Sequence, residues 1–129
     1  MLGPGEILAG VRIRKQPEIN GHHFEKVGQR KALAIALVSL AAALHISKDG
    51  IVSEARLAWG SVGPTVMTSR EAESALEGNP LSLEVLEKVA AIARSAVSPI
   101  DDVRAGAEYR RLVAGNLLLR LQERKESGF

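Results

Sequence analysis

The chain of 129 residues has no cysteine, so no disulfide, iron–sulfur cluster or thiolate metal site forms within it. That is compatible with a reducing compartment. No sign of charge dominates: 17 basic against 15 acidic residues leave a net charge of +2, which gives no argument for a nucleic-acid partner. Long apolar runs are missing too. The stretch from Ala32 to Leu44, broken only by Ser39, falls short of the roughly 20 residues a membrane-spanning helix needs. It starts too far in to be a signal peptide, so a core element is expected and a membrane partner is not. There is no Gly-x-Ser-x-Gly elbow, no His-Glu-x-x-His and no cysteine nucleophile. No catalytic set is therefore expected.

What is present suits one soluble domain over residues 1–129, with 46% hydrophobic and 25% charged residues. The opening Met1-Leu2-Gly3-Pro4-Gly5 has the composition of a domain boundary. Residues 6–13 alternate as a strand, with Val11 and Ile13 on one face and Arg12 and Arg14 on the other. Pro17, Asn20 and Gly21 mark a turn, and His22 to Val27 a second short strand. Ala and Leu in 32–46 favour helix. However, Asp49-Gly50 stands between two apolar runs, a hairpin signal. Residues 35–46 and 51–60 are accordingly read as paired antiparallel strands, with a helical turn near Arg30 to Leu33. The low polarity of 35–46 predicts a central strand covered on both faces.

Helix signals follow. Thr68 and Glu71 fit a capping box for a short helix that stops at Gly78-Asn79-Pro80. Ser82 is placed to cap a helix over 83–97, with Leu86, Val89, Ala90, Ala93 and Val97 on its apolar face. A last helix runs from about Ala105 to Arg124, striped by Leu112, Val113, Leu117 and Leu121, with Gly115 as a weak point and a fraying tail. Strands followed by helices predict an α+β fold: an antiparallel sheet of three to four strands with three helices packed on one face.

The candidate sites are few. His22-His23 lacks a third metal ligand, and neighbours on a strand point to opposite faces, so a solvent-exposed strand start is expected. His45 reads as a hydrogen-bonded edge histidine. Gly60-Ser61-Val62-Gly63-Pro64-Thr65 lacks the Lys-Ser/Thr ending of a phosphate loop and reads as a turn leaving the sheet. Asp101, directly before a helix, is placed to cap it. Asp102, Arg104, Arg110 and Arg111 read as an ion-pair cluster that fixes the last helix to the body. Lys26, taken alone, is a basic residue on a solvated strand face.

Several short pieces recur in a characteristic order: Pro4-Gly5-Glu6-Ile7-Leu8, Phe24-x-Lys26-x-Gly28-x-Arg30, Asp49-Gly50-Ile51-Val52 and Arg56-Leu57-Ala58-Trp59-Gly60. They continue with Ala72-Glu73-x-x-Leu76-x-Gly78, Asp102-Val103-Arg104 and Tyr109-Arg110-Arg111. Together they resemble the C-terminal domain of the FAD-carrying subunit of molybdenum hydroxylases, the xanthine and carbon monoxide dehydrogenase family. The Lys26-Val27-Gly28-x-Arg30-Lys31-Ala32 version looks most like bacterial xanthine dehydrogenase-type subunits. The resemblance implies a cytoplasmic protein that closes the FAD pocket against an N-terminal FAD-binding domain outside this chain. It also implies packing against molybdenum-binding and iron–sulfur subunits, whose electrons pass to FAD. It places Leu8 and Lys26 at the cofactor, Leu8 by backbone or apolar contact and Lys26 by charge or hydrogen bond. The chain alone is not expected to keep FAD. An interaction module that keeps this fold without flavin is the alternative.

Overall fold

The computed structural model describes residues 2–12, 19–30 and 35–127. Three antiparallel strands, β1 (Gly21–Val27), β2 (Val38–Ile46) and β3 (Val52–Gly60), form one sheet in the order β1-β2-β3. Three helices follow: α1 (Arg70–Leu76), α2 (Leu83–Ala96) and α3 (Ala107–Ser127). The expected α+β architecture is what forms, with three strands among the described residues. Residues 6–12 make no strand, and Ile13 and Arg14 lie outside the described residues. The proposed helical turn falls largely on residues 31–33, also outside them.

The β2–β3 hairpin forms where Asp49-Gly50 predicts it. The Ser47 N–H donates to the Ile51 carbonyl at 2.8 Å, and Gly50 takes φ +78°, which a side chain would strain. β2 is central, as expected, but it is not covered on both faces. Val38, Leu40, Ala42 and Leu44 point inward and are buried. Ala41 on the opposite face is exposed, and Ser39, Ala43 and His45 are half-covered. Helices cover one face only, and the alanines that made the run look doubly buried form an open floor.

The inner face carries the core. Leu40, Leu44, Leu57 and Trp59 meet Leu76, Leu86, Val89, Leu118 and Leu121 from the helices. Trp59 is fully buried and its Nε1–H donates to the Ala114 carbonyl at 3.1 Å, so the largest core side chain also meets its polar requirement. α1 is capped by Ser69, whose hydroxyl accepts from the Ala72 N–H, not by Thr68. A cap one residue later takes Glu71 out of the capping-box position. Ser82 caps α2 as expected, and Leu86, Val89, Ala90 and Ala93 are buried along it.

In α3 the buried stripe is Arg110, Ala114, Leu117, Leu118 and Leu121, while Leu112 is half exposed. Leu117 and Leu121 are buried as expected and Val113 packs against the core; the face differs from the expected stripe in leaving out Leu112 and including buried Arg110 and Ala114. Gly115 is no weak point. A Cβ there would sit 2.6 Å from Arg94 Nε and 2.8 Å from the Ala90 carbonyl, so its absence lets α3 approach α2.

β3 is an edge strand, yet its outer hydrogen-bonding groups are occupied. Glu73 accepts the Leu57 N–H at 3.0 Å, and Glu77 the Ala55 N–H at 3.4 Å. Trp59 and Met67 exchange backbone bonds, and Val52 pairs with Gly78 and Asn79. Two carboxylates, one on α1 and one at its C-terminal cap, thus stand where a further strand would, closing the edge to strand addition. Arg70 holds Glu77 by two bonds of 3.0 and 2.9 Å, which lowers the Glu77 pKa from its ordinary value. Replacing the buried Glu73 with Ala leaves the Leu57 N–H without an acceptor. The expected loss is about 1–3 kcal/mol of unfolding free energy, with a smaller loss for Glu73→Gln, which keeps an acceptor oxygen. Urea denaturation of both variants checks the order.

Candidate functional site

The outer face of the sheet is the surface that the helices leave open. Its rows follow from the register. Phe24 lies beside Ala41, and Ala41 beside Ala58; His22 lies beside Ala43, and Ala43 beside Arg56; Lys26 lies beside Ser39, and Ser39 beside Gly60. Small side chains in the middle and larger ones outside make a trough. A groove of about 510 Å³ runs there, lined by Phe24, Ala41, Ala43, Arg56 and Ala58 among others. The Phe24 side is notable, since this aromatic residue is 68% exposed. At the other side Arg56 is fixed by Glu54 at 2.9 Å and Glu77 at 3.7 Å.

Lys26 lies exposed on this same face, two residues beyond Phe24. Leu8 lies elsewhere, on the segment that precedes the sheet, and is 67% exposed. The two residues expected at the cofactor thus stand on separate elements. Phe24 and the alanine floor were missed. Their signal was the alternation of β1 and β2, which places Phe24 and Lys26 on one face.

The histidine pair splits between faces as alternation requires, but only His22 is exposed. His23 is buried, its Nε2 lying 3.4 Å from Glu25 Oε2. Among the described residues no group of three or more His, Asp or Glu is placed to hold a metal. His45 is hydrogen-bonded, through Nδ1 to Ser53 Oγ at 2.9 Å, though on the central strand and not at an edge. The Ser61–Val66 segment is a turn leaving the sheet, with Ser61 at φ +63°.

The charged cluster before α3 is structural. Arg110, 5% exposed, donates through Nη1 to the carbonyls of Leu37 at 2.7 Å and Ser61 at 3.0 Å, and through Nη2 to Asp102 at 2.8 Å. Asp102 also accepts the N–H groups of Arg104 and Ala105, at 2.8 and 3.0 Å. These two backbone bonds, with Arg110 behind them, hold its carboxyl at a pKa of about 2. Asp101 caps α3 from a distance, accepting the Ala107 N–H at 2.6 Å. Arg104 is a surface partner at 3.3 Å, and Arg111 pairs with Glu108 inside the helix. Of the three arginines, Arg110 alone ties helix to sheet.

These three strands and three helices match the CO dehydrogenase flavoprotein C-terminal domain over residues 23–124. The chain belongs to that family. It is 34% identical to the carbon monoxide dehydrogenase medium chain of Afipia carboxidovorans, over 96% of this chain and 42% of the relative. It is 32% identical to the xanthine dehydrogenase FAD-binding subunit of Escherichia coli O157:H7, over 84% and 39%. Among solved structures, the cyanide-inactivated Cu,Mo-CO dehydrogenase superposes with a TM-score of 0.77 at 32% identity, covering 87% of this chain and 38% of that one. The chain therefore spans about two fifths of the length of these relatives.

Arg110→Ala removes three bonds from a buried position, and a loss of about 3 kcal/mol or more is expected. Arg104→Ala, at the surface, should stay within about 1 kcal/mol. Denaturant midpoints separate the two. Asp102 has a folded pKa below its unfolded value of 3.8, so its contribution is complete above that value. It fades as pH falls through about 2. Asp102→Asn should therefore be less stable than wild type at neutral pH, with the gap narrowing as the pH falls through that window. Melting curves at stepped pH test this.

Proposed function

We propose that this chain is the domain that closes the flavin pocket in the FAD subunit of a xanthine dehydrogenase-type molybdenum hydroxylase. Its outer sheet face and Leu8 are turned toward the cofactor. The observation that carries this reading is the outer face itself, a groove with an alanine floor left open by the helices, with Lys26 on the same face. The floor fits a planar ring system. The methyl groups of Ala41, Ala43 and Ala58 leave a trough that larger side chains would fill, and Phe24 offers an aromatic edge. When bound, FAD supplies the electron-accepting chemistry. This chain supplies the wall: apolar residues that exclude water, the Leu8 side chain or backbone against the ring, and the Lys26 ammonium as charge or donor.

In this reading the 129 residues form one domain of a cytoplasmic complex. Its partners are an N-terminal FAD-binding domain, a molybdenum-binding subunit and an iron–sulfur subunit, with neither nucleic acid nor membrane. Among the described residues no helix is long and apolar enough to cross a membrane. Most of the nucleotide pocket then belongs to the partner domain, so the purified chain should be colourless. A flavin spectrum that survives gel filtration of the chain alone would contradict this.

Lys26→Met tests the charge while keeping much of the apolar stem. In the subunit assembled with its flavin-carrying domain, loss of one charge-assisted hydrogen bond should weaken FAD binding by about 1.5–3 kcal/mol. That is roughly ten- to hundredfold in affinity. The flavin potential should fall as well, because a nearby cation favours added negative charge. FAD titration and redox potentiometry measure both. Equal affinity and equal potential would make Lys26 a solvated strand residue.

A further inference from the structure

Ser39 is the one polar residue in the run from Ala32 to Leu44. It lies on the outer face of the central strand, directly opposite Lys26 on β1 and Gly60 on β3. Directly opposed side chains on one face of an antiparallel sheet have Cβ atoms about 5 Å apart. Ser39 therefore stands between an ammonium and a glycine, in the row beside Phe24, Ala41 and Ala58. Gly60 has a particular relation to its hydroxyl. A Cβ on Gly60 would sit 2.5 Å from Ser39 Oγ, and the next atom it would meet is the Ser39 Cβ at 3.9 Å. The hydroxyl thus lies over Gly60, in the space a side chain would take. Glycine gives up packing in a strand, and one place it is kept is where a ligand comes close. Among the described residues the Ser39 hydroxyl has no hydrogen-bond partner. It is half-covered, with a donor and acceptor capacity left to spend.

We propose that Ser39 is a second polar contact of this chain to the flavin: its hydroxyl donates to the polar edge of the ring system beside the Lys26 ammonium, and Gly60 leaves it the space to point there. This proposal rests on the flavin-subunit reading above. The alanine floor can exclude water from a planar ring, but apolar contact has no direction and leaves the ring free to turn in its plane. A single cation fixes one point of the edge. A cation and a hydroxyl side by side meet two acceptors of the same edge, and two points set the rotation of the ring. The donors also stand where carbonyl oxygens and ring nitrogens gain negative charge on reduction, so both favour the reduced form. Ser39 is in this sense a binding and positioning residue, and Gly60 acts through it.

FAD titration and redox potentiometry test this in the subunit assembled with its flavin-carrying domain. Ser39→Ala should weaken FAD binding by about two- to tenfold, the effect of one neutral hydrogen bond, and should lower the flavin potential. The chain alone should keep its melting temperature, because the hydroxyl holds nothing in the fold. Gly60→Ala should match Ser39→Ala, since the new methyl turns the hydroxyl aside. In the Ser39→Ala background Gly60→Ala should add little, because its methyl then meets only a Cβ at 3.9 Å. Unchanged affinity and potential in Ser39→Ala would overturn the role of Ser39; a loss in Lys26→Met measured alongside would leave the flavin reading standing. Additive losses in the double variant would overturn the part given to Gly60. A wild-type assembled subunit that takes up no FAD would overturn this proposal together with the flavin reading.

Discussion

The guanidinium of Arg110 is the contact on which the geometry of this domain depends. It sits in α3, is nearly excluded from water, and reaches the residue before β2, the residue after β3 and the turn before its own helix. A planar fork with several donors suits that task better than an ammonium, because each carbonyl and the carboxylate are met in fixed directions. Burying such a charge is costly unless it is paired and its donors are used. Asp102 supplies the pairing, and it is itself held by two backbone N–H groups. The end of the sheet and the start of the last helix are therefore placed together by one side chain.

From that corner the two faces of the sheet take different parts. The inner face is packed by Trp59, three sheet leucines and two sheet valines, and the helix leucines. The β3 edge is sealed by the carboxylates of Glu73 in α1 and Glu77 at its C-terminal cap. Gly115 lets α3 lie close on α2, against Arg94 and the Ala90 carbonyl. What remains open is the outer face and the segment before the sheet. The proposed function concerns the first of these, a wall for a planar cofactor.

Much of this was legible in the sequence, for reasons that can be named. The hairpin was found because Asp49-Gly50 has a backbone requirement that few dipeptides meet. α2 was found because Ser82 and five spaced apolar residues agree. The α3 stripe was right at Val113, Leu117 and Leu121 but wrong at its start, because Leu112 is apolar yet outward, whereas Arg110 is charged yet inward, and periodicity weighs composition without knowing what is paired. Residues 6–13 show the opposite case. Their alternation predicted a strand, but residues 6–12 form none, because no described strand pairs with them. The candidate site was harder to see. Lys26 came from family resemblance, and the floor around it arises from the cross-strand register, which brings Ala41 and Ala58 beside Phe24 from distant parts of the chain.

The alanine floor has a consequence for how this domain could diversify. Ala41, Ala43 and Ala58 point away from the packed core, and among the described residues no helix rests on them. Replacing them would alter the shape offered to a bound molecule while leaving the residues that hold the fold untouched. Folding and recognition are thus assigned to opposite sides of one sheet. A lineage could retune what the outer side accepts by single steps, without first accumulating compensating changes in the interior.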